Sequence, residues 1–115
     1  MKIIDSKITK EDLIKEHLGY FKTMVKAVVD VEKGIIGIDA ELHADIEADL
    51  LEKGSKQEKL WGINLYPLKD RGNFIEYTAL INIRPHQDNA SMEIESREIK
   101  EKINKIIDQW IAYES

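Results

Sequence analysis

From Met24 to Glu32 apolar and polar residues alternate. Val25, Ala27, Val29 and Val31 fall on one side of an extended chain, Lys26, Asp30 and Glu32 on the other, and Val28 interrupts the polar side. Lys33-Gly34 is a hairpin turn signal, after which Ile36, Ile38, Ala40 and Leu42 resume the apolar side against Asp39, Glu41 and His43. A period of two cannot place these residues on one face of a helix, so the stretch commits the chain to an antiparallel hairpin.

The same rule recurs downstream. Trp61, Ile63 and Leu65 alternate with Gly62, Asn64 and Tyr66 until Pro67, which cannot donate to a strand ladder, ends the run. Asp70-Arg71-Gly72-Asn73 is a turn cluster. Phe74 to Arg84 then reads as the longest strand. Ile75, Tyr77, Ala79, Ile81 and Ile83 lie on one face and Glu76, Thr78, Asn82 and Arg84 on the other, interrupted by Leu80.

Three stretches carry the helical period instead. Thr9 with Asp12 three residues on forms a capping-box start, and Leu13, Ile14 and Leu18 make an apolar side that Gly19 can end. His17 beside that stripe reads as a packed histidine. Ala44 to Lys53 carries Ile46, Leu50 and Leu51, with Gly54 as its stop. Behind a Ser96 cap, Ile99, Ile103, Ile106, Ile107, Trp110 and Ile111 form a continuous stripe from about Arg97 to Ala112. With Ile3-Ile4 as a short edge strand, the order is (β)-α-β-β-α-β-β-α. The fold class is α+β: an antiparallel sheet of two hairpins, four or five strands in all, with helices covering one face.

Length and composition limit what such a domain can do. The chain has 115 residues, enough for one domain with one core. A charged share of 34% beside an apolar share of 43% is a globular composition, and a net charge of −5 with no long basic block gives no footprint for nucleic acid. No apolar run is long enough to cross a bilayer, and the start lacks a signal peptide's apolar region. With no cysteine, thiol catalysis and thiolate metal sites are excluded, and a cytoplasmic location is expected. Frequent isoleucine, lysine and glutamate are a bias seen in thermophilic proteins and in AT-rich genomes.

Chemistry would sit on the polar sheet face. The alternation assigns Lys26, Asp30, Asp39, Glu41, Asn64, Tyr66, Glu76, Thr78, Asn82 and Arg84 to it, with His43 at its rim. Glu41-Leu42-His43-Ala44-Asp45 concentrates two acids and an imidazole where a strand gives way to a helix. Glu41, His43 and Asp45 are the candidate ligands for a divalent metal ion of mixed N/O preference, although they match no established metal motif. Glu41, His43, Glu76 and Arg84 are the candidates for acid–base work. Arg84 also suits a plain salt bridge or the grip of an anion. Gly54-Ser55-Lys56-Gln57 follows a helix, lacks the spacing of a phosphate loop and reads as a helix stop.

Several of these words also carry a resemblance. Glu41-Leu42-His43-Ala44-Asp45, Gly54-Ser55-Lys56-Gln57, Leu60-Trp61-Gly62-Ile63-Asn64-Leu65-Tyr66-Pro67, Phe74-Ile75-Glu76-Tyr77-Thr78, Ile81-Asn82-Ile83-Arg84-Pro85 and Asn89-Ala90-Ser91-Met92-Glu93-Ile94 resemble a small prokaryotic family of uncharacterised single-domain proteins. The resemblance implies a single domain and assigns no activity, cofactor or catalytic residue. Two functions remain in view. One is a binding or homodimeric assembly domain, with Trp61, Phe74, Leu80 and Tyr113 as interface candidates. The other is a metal-dependent or acid–base enzyme built on Glu41, His43 and Asp45.

Overall fold

A computed structural model describes residues 1–113. Five strands form the main sheet: β1 (Lys2–Ile4), β3 (Val25–Asp30), β4 (Ile35–Ile38), β5 (Leu60–Leu65) and β6 (Ile75–Glu76). Their order is β1-β4-β3-β5-β6, and every pairing is antiparallel. Three helices accompany them: α1 (Lys10–Glu16), α2 (His43–Glu52) and α3 (Arg97–Trp110). The α+β class and the antiparallel sheet therefore stand. So do the capping box of α1, where Thr9 and Asp12 exchange hydrogen bonds, and the Ser96 cap of α3.

The covering is two-sided. On one face Val25, Ala27, Val29, Ile36, Ile38, Trp61, Ile63 and Leu65 meet Leu13 of α1 and Ile103, Ile106 and Ile107 of α3. On the other, Ile46 and Leu50 of α2 pack on Val28 and Leu60. Val28, the one apolar residue on the polar side of its strand, marks this second core. The register sets Ile3, Gly37, Val28 and Gly62 in one row across four strands. A Cβ at Gly37 would lie 2.6 Å from Ile46 Cγ2, and one at Gly62 2.5 Å from the Ala79 Cβ. The two glycines are what let a second layer approach the sheet this closely.

The long strand from Phe74 to Arg84 does not form. Pairing with β5 stops after β6, Thr78 bridges instead to Glu93, and the chain passes through short 3-10 turns at Leu80–Asn82 and Pro85–Gln87. Asn82 explains the departure. Its buried side chain accepts from the Gly62 amide at 2.8 Å and donates to the Gly62 carbonyl at 2.9 Å and the Met92 carbonyl at 3.1 Å. One side-chain amide thus takes the place of a strand's backbone beside β5. Asn89 locks the following loop by donating to the carbonyls of Asn82, Ser91 and Glu93 and accepting from the Glu95 amide.

The first hairpin also ends early. Asp39 adopts φ of +65°, outside the extended region, so β4 stops at Ile38 and Asp39, Glu41 and His43 do not share a strand face. Two short strands beyond the sequence pattern, β2 (Ile8–Thr9) and β7 (Ile111–Ala112), pair in parallel and shorten the last helix to Trp110.

Candidate functional site

The register brings Lys26, Asn64 and Glu76 into one row on the face that carries α2. Above them stand the first turn of α2, with Leu42, His43 and Ala44, and the segment Thr78 to Ile81. Between these walls lies an open cleft of about 480 Å³, lined also by Met24 and Met92. This is within the range of small-molecule sites. The walls are mainly apolar and the floor is polar.

Asn64 is the middle member of that row and is only 7% exposed. Its Nδ2 donates to Glu76 Oε1 at 2.7 Å and to the Thr78 carbonyl at 3.2 Å, which fixes the amide's orientation. Oδ1, on the other side of the group, is buried and has no partner. Among the described residues only Trp61 Nε1 shares that condition, and Trp61 belongs to the opposite core. Glu76 Oε1 also accepts from the Tyr66 hydroxyl at 3.1 Å, leaving Oε2 uncommitted. Burial raises the Tyr66 hydroxyl pKa, and the bond to Glu76 and its charge add to the effect.

His43 opens α2 and hangs over this floor. Its Nε2 lies 2.8 Å from the Ile63 carbonyl, which can only accept, so Nε2 carries the proton and Nδ1 holds a lone pair. Burial pushes the imidazole below the ordinary histidine range. The Lys26 charge acts in the same direction, against the partial opposition of the Ile63 bond and the neighbouring Asn64 amide. The ring is neutral at pH 7. Leu42 precedes α2 without a side-chain cap, so the amides of His43 and Ala44 have no intrahelical or capping acceptor. That uncapped end lines the cleft.

The other sequence candidates are elsewhere. Glu41 and Asp45 are exposed and do not line the cleft. Among the described residues no three histidine or acidic side chains gather as metal ligands, so Glu41, His43 and Asp45 are not brought together as a metal site. Asp39 turns to His17, with 2.9 Å between Oδ1 and Nδ1. Asp30 caps its own hairpin, accepting from the Glu32 and Lys33 amides, and takes the Ser55 hydroxyl at 2.7 Å.

Arg84 is buried and structural. It donates to Glu47 at 3.1 Å and to the Ile81 and Gln57 carbonyls, and its guanidinium lies 4.9 Å from the centre of the Trp61 ring. Burial lowers its pKa, opposed by Glu47, yet a guanidinium stays charged. Trp61 and Phe74 are buried and cannot serve an interface, whereas Leu80 is 71% exposed at the cleft mouth.

The family described as "Protein of unknown function (DUF5674)" matches residues 2–110. The chain belongs to that family. No curated protein matches this DUF5674 chain, and no solved structure does. In the DUF5674 fold described here, no helix among the described residues is long and apolar enough to cross a membrane.

Proposed function

We propose that this protein is a cytoplasmic binding module that holds a small amphiphilic molecule in the cleft between α2 and the Thr78–Ile81 segment. The observation that carries the reading is the cleft itself: about 480 Å³ of space with apolar walls over the polar row Lys26, Asn64 and Glu76. An apolar body gains by leaving water for such walls, while the few polar groups set its orientation.

A neutral apolar fluorophore such as N-phenyl-1-naphthylamine tests the reading. It should bind the wild type with enhanced emission. Ala44→Trp, at an exposed lining position, should block it without loss of fold. Absence of binding, or equal binding by the variant, would overturn the proposal.

One observation favours an assembly role in addition. Leu80, Leu42 and Met92 line the cleft and are all exposed, an apolar rim that suits a twofold contact between copies. Light scattering of the wild type and of Leu80→Glu distinguishes a dimer that the variant dissolves from a monomer in both cases. The acid–base reading keeps one support, the neutral His43 whose Nδ1 is left free to take a proton.

A further inference from the structure

The cleft's polar groups are selective about the head of the molecule they would hold. Asn64 Oδ1 is an orphaned acceptor in a side chain that is more than nine-tenths buried. An unpaired buried acceptor is costly, and a ligand that donates to it recovers that cost. Across the same space, the uncapped first turn of α2 offers backbone N–H donors with the positive end of the helix dipole behind them.

A carboxylate head would satisfy the helix end and Lys26, but it has nothing to donate to Asn64 and would meet Glu76. An ammonium head would satisfy Asn64 and Glu76, but it has nothing to accept from the helix and would meet Lys26. A head with a neutral N–H donor beside a carbonyl acceptor serves both sides. We infer that the site recognises an uncharged carboxamide or lactam edge on an apolar body, its N–H donated to Asn64 Oδ1 and its carbonyl facing the first turn of α2.

Oδ1 is closed off from solvent, so the head reaches it by a rotamer change among the lining side chains. Met24 and Met92, unbranched and adaptable, are the residues suited to yield.

This inference rests on the binding reading above, and the test separates the two. The probes share one hydrocarbon body: hexanamide, N,N-dimethylhexanamide, hexanoate and hexylammonium, each titrated into isotope-labelled protein and followed by amide NMR. Hexanamide should bind at least fivefold more tightly than the other three and should move the Asn64 side-chain amide signal together with the backbone signals of His43 and Ala44. Asn64→Leu should lose the preference for hexanamide over N,N-dimethylhexanamide. Should that variant fail to fold, the dimethyl analogue, which lacks the donor, makes the same comparison in the wild type.

Equal or tighter binding of hexanoate or hexylammonium would overturn the inference while leaving the binding module intact. So would perturbation confined to residues outside the cleft. If neither the fluorophore nor any of the four probes perturbs the cleft, both readings fall.

Discussion

Asn82 and Asn64 are both buried asparagines beside β5, and the structure uses them in opposite ways. Asn82 engages its oxygen and its nitrogen with the backbone of Gly62 and with Met92, leaving nothing over. Asn64 engages only its nitrogen, and its oxygen faces no partner. A fully bonded buried amide holds two segments in register. A half-bonded one carries a cost that the folded chain alone does not relieve, and such a group belongs where something else arrives.

Breaking the Asn82 side should be most damaging. Asn82→Ala would strand both the amide and the carbonyl of Gly62 and free the Leu80–Asn82 turn. A loss of about 3–4 kcal/mol in denaturant unfolding is expected. A loss under about 1 kcal/mol would show that water replaces the side chain and that the contrast between the two asparagines is overstated.

Two further changes probe the same region more gently. Arg84→Met removes three hydrogen bonds and leaves Glu47 without its counter-charge, at about 3 kcal/mol. Gly62→Ala forces a methyl group against Ala79 and Ile81 and should cost about 2–3 kcal/mol. Thermal unfolding of the two variants checks both figures, and an unchanged midpoint would contradict the role given to each residue.

The cleft side should respond weakly in stability and clearly in pH dependence. His43 has a lowered folded-state pKa, so the unfolded chain binds its proton first as pH falls. The stability that neutral His43 supports is complete at pH 7. It begins to be lost as pH drops through the ordinary histidine value of about 6.5, and is lost in full below the folded value. His43→Gln should flatten this part of the stability–pH curve, and an unaltered curve would remove His43 from the account. Asn64→Leu should be the mildest change, within about 1 kcal/mol of wild type, because the lost bonds to Glu76 and Thr78 are offset by removal of the orphaned acceptor.

What the sequence disclosed follows the same division. Alternation and capping residues are local signals, and they placed the two hairpin starts, all three helices and the α+β class. The row of Lys26, Asn64 and Glu76 was legible too, because strand parity alone puts them on one face, and His43 was correctly placed at its rim. The break of the strand after Glu76 was not legible. It depends on Asn82 reaching Gly62, a contact 20 residues away that no period encodes. The exposure of Leu80 was visible only as an interruption in that strand. Asp39 looked like a strand acid because its left-handed backbone leaves no composition signal at an aspartate. Val28, Gly37 and Gly62 did carry the second core. They read as exceptions to a one-sided sheet until the register aligned them in a single row.

The pairing of β2 with β7 has a consequence for how the chain reaches this structure. Strands β1, β3, β4 and β5 are complete once Leu65 has been made, so most of the main sheet can assemble while later residues are still being added. Ile8 and Thr9 must wait for Ile111 and Ala112. During synthesis α1 can form its capped turns but has no partner strand, and the sheet face destined for α3 stands open. A ribosome-bound chain halted before Arg97 should therefore expose Ile36, Ile38 and Trp61 to chaperones. Docking of α3 ends that exposure, and pairing of β2 with β7 then ties the two ends of the domain together.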